Sequence, residues 1–555
     1  MPIVPNIDVL HRNLRALAEV QPNLARRIAL PASDEHLEET ESGGVYYHYG
    51  RLPRVLDLQQ EELECWPDFS PAEAEIVLAG VGAGEAVTHA LTRSHSCIHA
   101  WDRDPMVWRL ALSRHDWTES IRSRRLVLYL GADGILIPQS PSQTLWVHPV
   151  LESIYTNELH LLRHGTRGKR ALVCDGELFV RDIAESLQAT GYSTYTWSIG
   201  NLSPEELAHT VAVFKPEVVF AINFSRDLSE ACARFQLPLA IWEVDPTTEF
   251  LPRSRTAQTN TTVFTYRKSR VEEYHRANFP YCVHLPLAAN TDRRRPEALT
   301  PRQQSRFHTP VSFVGASMVQ TAQKFRTRFT EQFLACYPDN SPALVERFLQ
   351  SVLDRQRQDL STWMLPQLIA QQVPDFVQRC EARGLQNPLV LAGEIAAAEK
   401  RLTCVARLAQ FGVQVWGDRG WKQLEHHGVK HRGYAGHFRE LNHVYVGSQI
   451  NIDIGRFYQS DIVPMRIFDI LACGGFVIAE YNEDLESLFK IDEEIVCWRT
   501  PEELTEKTAY YLSRPHMAQK IASRGRQRVL QQHRIQDRVQ AMLQAIHDRS
   551  IAMAG

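Results

Sequence analysis

The sequence of 555 residues lacks paired cysteines and long apolar runs. Its ten cysteines are scattered singly, without a C-x-x-C pair, which argues against a zinc ribbon or a disulfide scaffold and suits a reducing compartment. It has no apolar run of about 18 residues, the length of a membrane-spanning helix, and residues 1–14 contain prolines and charges where a signal peptide is apolar. We therefore expect a cytoplasmic protein with no integral membrane segment.

Neither sign of charge dominates the chain. Lys and Arg total 61 against 65 Asp and Glu, for a net charge of −4, so the basic footprint of a nucleic-acid-binding protein is missing. The composition, 44% hydrophobic and 23% charged, is that of an ordinary folded protein. The length exceeds what one hydrophobic core supports and predicts several domains.

Short β runs alternate with helical segments in three successive parts of the chain, which predicts α/β domains with parallel sheets. A polar, proline-containing linker is predicted at 295–308. The predicted divisions are a helical extension with one amphipathic helix and polar connections (1–70), a small Rossmann-like unit with three β runs (71–150), a second α/β domain with six β runs (165–295), a third with a helical insertion at about 319–384 (309–516), and C-terminal helices (517–555).

A glycine-rich turn, Gly80 to Gly84, follows the first β run of the 71–150 unit, and Asp102 ends the next. Glycines there let a ligand approach the backbone, and an acid about 20 residues on can bind a ribose hydroxyl. The turn resembles the first motif of class I methyltransferases. The alternative is a tight turn without a ligand, and the unit is too short for an independent methyltransferase.

Polar residues also follow β runs of the 165–295 domain, where ligands of open α/β sheets bind. They are Asp175, Asn223, Glu243 and Asp245. A carboxylate at such a position can act as a general base toward an acceptor hydroxyl. Each can instead cap the helix that follows it. The residues alone do not single out one of the four.

Gly315 ends the first β run of the 309–516 domain, and Lys324 and Arg326 follow it. A glycine turn at a helix N-terminus, completed by a cation, is an anion site suited to a diphosphate. An ordinary strand–helix turn with solvated basic residues explains the same pattern.

The segment 451–489 contains the largest number of candidate binding and catalytic residues. It contains Asp461 and Asp469, an acid-x7-acid spacing, and predicts a helix that begins near Pro464 and ends in glycines after Cys473. The start of this helix offers N–H groups to phosphate, Arg466 can neutralise a leaving diphosphate, and Asp469 can accept ribose hydroxyls. Acids that only cap the helix explain the two aspartates but not the whole run of features.

This segment resembles the nucleotide-binding motif of GT-B glycosyltransferases, especially the CgeB-type family related to spore-maturation proteins. Its RIFDILACGG (466–475) resembles that family's R-x-F-E-x-L-A-C-G-G. The resemblance covers roughly residues 165–545 and extends to the segments VVFAINFSRDL, LPLAIWEVDPTTEF, VSFVGAS (311–317), VWGDRGW (415–421) and HRGYAG (431–436). In the wider retaining group both spaced acids are glutamates, whereas here they are Asp461 and Asp469.

The resemblance implies an α/β protein of the GT-B type, in which two Rossmann-like domains face each other, the final helices pack on the N-terminal domain, and no metal or other cofactor is required. The implied function is transfer of a sugar from a nucleotide sugar, with a UDP-sugar as the expected donor, to a protein or cell-surface glycan. It assigns donor binding to Gly315, Lys324, Tyr434 beside the base, Pro464, Arg466 and Asp469, and catalysis to Asp245 and Asp461.

Three other functions remain open at the level of sequence. A nucleotide-sugar epimerase or hydrolase can use the same scaffold. The 71–150 unit can be an S-adenosylmethionine-dependent methyltransferase. The chain can also be a non-catalytic envelope or assembly protein with a relict site. The base, sugar, acceptor, anomeric outcome and oligomeric state do not follow from the sequence.

Overall fold

The computed structural model describes residues 6–30, 32–41, 43–49, 52–59, 75–140, 143–176, 178–245, 247–251, 254 and 256–554. The chain forms two compact units. Unit 1 is Met1–Trp242 with Asn260–Thr262, and unit 2 is Glu243–Thr259 with Val263–Gly555. The predicted domain boundaries remain predictions. No helix among the described residues is both long and apolar enough to cross a membrane.

The first part of unit 1 contains a small antiparallel sheet and the first of three larger sheets. β1, β2 and β3 form an antiparallel sheet, and β4 to β7 form a parallel sheet in the order β6-β5-β4-β7. The strands are β1 (Leu37–Glu39), β2 (Val45–Tyr49), β3 (Leu52–Val55), β4 (Ile76–Ala79), β5 (Ile98–Asp102), β6 (Leu126–Leu130) and β7 (Thr144–Val147). The helices are α1 (Ile7–Val20), α2 (Pro22–Ala29), α3 (Glu85–Arg93), α4 (Pro105–Arg114), α5 (Thr118–Arg122) and α6 (Thr156–His164).

Four strands, α2 and α6 of this region were not predicted from the sequence. α2 and β1 to β3 lie where only polar connections were expected, α6 follows the predicted end of the 71–150 unit, and β7 is a fourth strand of the parallel sheet. β1 and β3 are only three and four residues long, and the aromatic run VYYHY of β2 was the signal that could have found the antiparallel sheet. β7 reads as TLWV and is too short to separate from a loop by periodicity.

The six β runs predicted for 165–295 all form strands of a second sheet, in the order β13-β12-β11-β10-β8-β9. These strands are β8 (Arg170–Cys174), β9 (Ser193–Trp197), β10 (Val218–Ile222), β11 (Leu239–Glu243), β12 (Thr261–Thr265) and β13 (Cys282–His284). The helices of this region are α7 (Val180–Ala189), α8 (Pro204–Phe214), α9 (Arg226–Arg234) and α10 (Arg270–Arg276).

The third sheet lies in unit 2, and all its strands are parallel in the order β16-β15-β14-β17-β18-β19. Its strands are β14 (Thr309–Val314), β15 (Gln414–Trp416), β16 (Lys430–His431), β17 (Ser448–Ile452), β18 (Val477–Glu480) and β19 (Val496–Trp498). The inner strands are buried along most of their length, as strands covered on both faces are, although several of their buried residues are polar. The predicted fold class, α/β with parallel sheets, is confirmed.

Helices make up the rest of unit 2. Those between Val319 and Arg407 enclose a hydrophobic core of their own, centred on Phe329, Phe333 and Phe376. The helices are α11 (Pro301–Phe307), α12 (Val319–Cys336), α13 (Pro342–Arg357), α14 (Leu365–Gln372), α15 (Phe376–Ala382), α16 (Pro388–Arg407), α17 (Glu440–Gly447), α18 (Met465–Ala472), α19 (Glu483–Leu488), α20 (Pro501–Leu512), α21 (Pro515–Gln532) and α22 (Ile535–Ala554).

Candidate active site

The carboxyl ends of β14, β15, β17 and β18 meet at one edge of the third sheet, because its strands are all parallel. Ligands of open α/β sheets bind at such an edge. At this edge Gly315 follows β14, Gly417 follows β15, Asp453 follows β17, and Glu480 ends β18. The candidate active site is built on these four strand ends.

The loops after β14 and β15 are held against each other. Trp421 Nε1 donates a 2.8 Å hydrogen bond to the carbonyl of Gly315, and Asp418 accepts one of 2.7 Å from the backbone N–H of Ser317. A side chain on Gly417 would collide with the Gly315 carbonyl, so Gly417 allows the two backbones to approach closely. Met318 adopts the left-handed conformation (φ 67°) where this turn enters α12. Backbone strain of this kind often accompanies functional sites.

α18 begins as predicted, with Pro464 at its N-cap and Met465 as its first residue, and ends in Gly474 with φ 77°. Within this part of the described chain, no side chain caps its N-terminus. Arg466, in the first turn, is half-buried and forms a 2.6 Å ion pair with Asp453. A Cβ placed on Gly315 would lie 3.0 Å from Arg466 Nη2, so the structure brings Gly315 and Arg466 together.

Two further arginines, which the sequence analysis did not identify, lie beside Arg466. Arg401 extends from α16 and donates to the carbonyls of Ala316 (2.8 Å) and Ile454 (3.3 Å). Arg456 follows β17 and lies 3.3 Å from Glu394. Burial, together with the charges of Arg456 and Arg466, lowers the pKa of Arg401 to about 9. Guanidinium groups this crowded form a site suited to an anion.

Acidic side chains beside the three arginines balance part of the positive charge. Asp453 is buried beneath Arg466, and its burial raises the pKa of its carboxyl while Arg466 opposes that shift. Glu394 accepts a hydrogen bond from Tyr458, and Glu480 forms an ion pair with Lys400. The result is a dense cluster of alternating charges at the edge of the sheet.

Asp469, on the same helix as Arg466, pairs with a different arginine. It is buried, 3% exposed, and its Oδ2 is 2.9 Å from Arg294 Nε. Arg294 also donates to the carbonyl of His437 and to Asn442 Oδ1. The structure therefore places Asp469 in a buried ion pair, and its assignment to ribose remains a prediction.

Asp461 is paired with residues that follow β12. Its carboxylate accepts hydrogen bonds from Arg267 Nε (2.9 Å) and Ser269 Oγ (2.5 Å). Burial opposes ionisation, but Arg267 outweighs it and lowers the pKa of Asp461. This pairing connects the loop before α18 to the end of β12, and the predicted catalytic role of Asp461 is not tested by it.

Asp245 follows β11 and is exposed, yet the surrounding protein raises the pKa of its carboxyl, with Arg456 acting in the opposite direction. Its neighbour Glu243 is buried and accepts from Thr265 Oγ1, Arg270 and Tyr274. Because the Glu243 carboxylate accepts hydrogen bonds from three neighbouring side chains, we expect it to have a structural role rather than to act as a base. Asp245, with a raised pKa near Arg456, keeps its candidacy.

Four other candidates were predicted from the sequence. Lys324 is exposed on α12, and Tyr434 is 57% exposed in the loop after β16. Asp175 is exposed after β8, and Asn223 follows β10 in the left-handed conformation (φ 58°). Their predicted roles remain predictions.

The glycine-rich turn of unit 1 is filled by the protein itself. A Cβ on Gly80 would lie 2.9 Å from Leu151, one on Gly84 would lie 2.5 Å from His115, and one on Gly82 would overlap His148. Asp102 is fully buried and accepts from Val81 N–H (2.9 Å) and Tyr155 (2.8 Å). The absence of side chains on these glycines leaves room for neighbouring side chains. This agrees with the alternative of a tight turn without a ligand.

Known proteins share features with this chain. Residues 399–544, which include the segment 451–489, match the family model described as Glycosyl transferase-like. No curated protein matches the chain. It is similar to a glycosyltransferase from Rickettsia africae (TM-score 0.41, 11% identity, covering 69% of this chain and 98% of that chain) and to sucrose-phosphate synthase from Thermosynechococcus elongatus (TM-score 0.40, 11% identity, 70% and 100%). It is also similar to Anabaena HepE in complex with UDP-glucose (TM-score 0.40, 11% identity, 69% and 100%).

Proposed function

We propose that the protein is a glycosyltransferase of the GT-B type that transfers a sugar from a nucleotide sugar. The observation that carries this proposal is the cluster of Arg401, Arg456 and Arg466 beside Gly315 and the uncapped start of α18, at the carboxyl edge of a parallel sheet. The match of residues 399–544 to a glycosyltransferase-like family model supports it.

In this proposal the cluster binds the diphosphate of the donor. The bond between the sugar's anomeric carbon and the diphosphate oxygen breaks, and the nucleoside diphosphate leaves with the bonding electron pair. Fixed guanidinium groups and backbone N–H groups stabilise the charge that develops on it. This electrostatic role supports a reaction that needs no bound metal. A UDP-sugar is the expected donor, and Asp469 and Tyr434 are the proposed contacts to ribose and base.

The acceptor hydroxyl, on a protein or a glycan, attacks the anomeric carbon in the proposed reaction. Its proton passes to a carboxylate, for which Asp245 is the candidate, since desolvation by the surrounding protein raises the pKa of that carboxyl above that of an ordinary aspartate. Asp461, ionised and held by Arg267, is the second proposed catalytic carboxylate, and its ion pair also holds the loop before α18. The CgeB-type family and a cytoplasmic location belong to the same proposal.

A thermal-shift panel tests whether the donor site exists. Purified protein is melted with UDP, GDP, ADP, TDP, uridine or S-adenosylmethionine. We expect one nucleoside diphosphate, at about 100 times its dissociation constant, to stabilise the protein by about 2.7 kcal/mol, and uridine alone to give a much smaller shift. Stabilisation by S-adenosylmethionine alone would move the chemistry to another part of the chain, and no shift by any ligand would favour a relict site.

Donor turnover then separates transfer from hydrolysis or epimerisation. With the identified nucleotide sugar and no acceptor, a transferase consumes donor slowly, whereas a hydrolase or epimerase consumes it at its full rate. We expect added acceptor fractions to accelerate donor consumption, and Asp245→Asn to abolish that acceleration while leaving the thermal shift by nucleotide unchanged. Full-rate consumption without acceptor would contradict the proposal.

A further inference from the structure

Unit 1 contains a polar cavity of about 180 Å³ that is lined by residues of α6 and α7. Among the described residues of this lining, four are basic and one, Glu185, is acidic; the basic ones are His160, Arg163, His164 and Arg181. Pockets that bury drug-sized ligands measure about 300–1,000 Å³. The cavity is smaller than these, so it suits a small charged group.

The basic side chains reach the cavity from two helices. His160 and His164 are one helical turn apart on α6, and their ring centres are 4.7 Å apart. Arg163, three residues after His160, lies on the same face of that helix. Arg181 comes from the first turn of α7. A ligand in the cavity would therefore meet cations on two sides.

The ion pairs of the two arginines are exposed. Arg181 pairs with Glu185 at 2.8 Å and Arg163 with Glu152 at 3.1 Å, and both arginine side chains are 46% exposed. Exposed pairs of this kind contribute little stability, so a guanidinium can exchange its carboxylate for a ligand at small cost. Among the described residues of the lining, two arginines against one glutamate give a formal charge of +1 before either imidazole is protonated.

The electrostatics of the cavity favour an anion over a cation. Burial, followed by the positive charges of His164 and Arg163, lowers the pKa of His160. Two imidazoles this close can also chelate a metal ion, but the guanidinium groups of Arg163 and Arg181 beside them would repel it. A bound anion would instead be attracted by all four groups and would favour protonation of the imidazoles.

Hydrogen bonds hold the two helices against β9. Gln188 Nε2 on α7 donates to Asn157 Oδ1 on α6 (3.3 Å) and to Thr194 Oγ1 on β9 (2.7 Å). Asn157, which is 7% exposed, donates to Thr196 Oγ1 on the same strand (3.0 Å). Asn157 and Gln188 also line the cavity. The spacing between the helices is therefore fixed by buried contacts, as a preorganised site requires.

We propose that this cavity is an oxyanion site that binds a doubly charged tetrahedral group, such as the phosphate of a phosphomonoester. Arg163 and Arg181 donate charge-assisted hydrogen bonds to it, and His160 and His164 add positive charge when they are protonated. The site does not rest on the proposed function, because its residues belong to unit 1 and the arginine cluster proposed for the donor belongs to unit 2.

The test measures binding of sulfate, inorganic phosphate, glucose 6-phosphate and acetate to the full-length protein by calorimetry. The variants are Arg163→Gln, Arg181→Gln and Arg181→Lys. Arg226→Gln is the matched control, since Arg226 forms an exposed pair with Glu230 at the same i, i+4 spacing as Arg181 with Glu185. An oxyanion bound elsewhere is common to all these proteins and cancels in the comparison. Circular dichroism checks that each variant folds.

We expect Arg181→Gln and Arg163→Gln each to weaken sulfate and phosphate binding about 10-fold, the loss typical of a charge-assisted hydrogen bond. Arg181→Lys should bind at an intermediate strength, because it keeps the charge but loses the planar fork. Arg226→Gln should bind as the wild type does. Equal sulfate affinity in the wild type and both glutamine variants would overturn the proposal.

The other two ligands define the class of anion. Acetate carries one charge and should bind more weakly than sulfate, so equally tight binding of acetate would overturn the assignment to a phosphate-type group. Tighter binding of glucose 6-phosphate than of inorganic phosphate, lost in Arg181→Gln, would identify an organic phosphomonoester as the ligand. Equal binding of the two would identify the phosphate group alone.

The pH dependence tests the imidazoles. Sulfate keeps its charge between about pH 6 and pH 8, where histidines titrate, so a change in its affinity reports on the protein. We expect the affinity to rise as the pH is lowered, and His160→Gln and His164→Gln to reduce that rise. His426→Gln is the control, because His426 and His427 also form a close pair, with ring centres 4.0 Å apart, on an exposed segment. An equal rise in all these proteins would contradict the role of the imidazoles.

Discussion

Asp469 and Arg294 form an ion pair with both side chains nearly inaccessible to water, 4% and 2% exposed. Removing one partner of such a pair leaves an uncompensated buried charge, which costs about 3–5 kcal/mol. We therefore predict that Asp469→Ala lowers the free energy of unfolding by about that amount, measured by urea denaturation.

Asp354→Ala is a suitable control, because its ion pair with Arg357 is half exposed and should contribute little. Nucleotide binding by a folded Asp469→Asn then tests the ribose assignment. An Asp469→Ala variant as stable as the control, yet unable to bind nucleotide, would contradict the structural role and support contact with ribose.

Among single residues, the sequence predicted part of the arginine cluster. Arg466 and Gly315 carried recognisable signals, a helix start after proline and a glycine after a strand, and the structure brings them together. Arg401 carried no signal of binding chemistry, because a basic residue within a long helix is ordinarily solvated. Only its setting in EIAAAEKRLTC, where alanines and Leu402 lie near Lys400 and Arg401, indicated burial.

α21 ends at a buried histidine that packs on the site helix. His533, 4% exposed, contacts the rings of Phe468 (5.4 Å) and Phe489 (5.2 Å) and lies 2.9 Å from Arg538. Burial, followed by the charge of Arg538, lowers the pKa of His533 to about 4. In the unfolded chain the imidazole titrates near pH 6.5, so protonation favours unfolding.

We predict that the contribution of His533 to the free energy of unfolding is fully present above about pH 6.5. It falls as the pH is lowered and levels off below about pH 4. The total loss from this group is on the order of 3 kcal/mol. His533→Gln should flatten that part of the pH profile, whereas the exposed His516→Gln should not. An unchanged profile in His533→Gln would show that another group is responsible.

Elements whose sequences are long and regular were predicted well. The six β runs of 165–295 and those of the third sheet all form strands, because β-branched and aromatic residues concentrate in these runs. The three antiparallel strands near the N-terminus were missed, since β1 and β3 are only three and four residues long and short strands depend on their pairing partners.

At the scale of the whole molecule, the proposed reaction relies on fixed protein charges in place of a metal ion. No group of three or more His, Cys, Asp or Glu side chains that could hold a metal occurs among the described residues. We predict that EDTA leaves donor consumption unchanged and that added Mg²⁺ or Mn²⁺ does not accelerate it. Loss of activity on chelation, restored by a divalent cation, would contradict this prediction.

The sequence by itself determined the α/β class, the positions of most strands, and the start and end of α18, because these follow from local apolar patterns and from proline and glycine chemistry. Only the tertiary structure decided which charges meet. Arg401 reaches residues 85 and 53 positions away in sequence, Asp469 is held by Arg294, and the glycines after β4 are covered by His148 and His115. Such contacts depend on how helices pack across a sheet. No local sequence pattern determines contacts between residues so far apart along the chain.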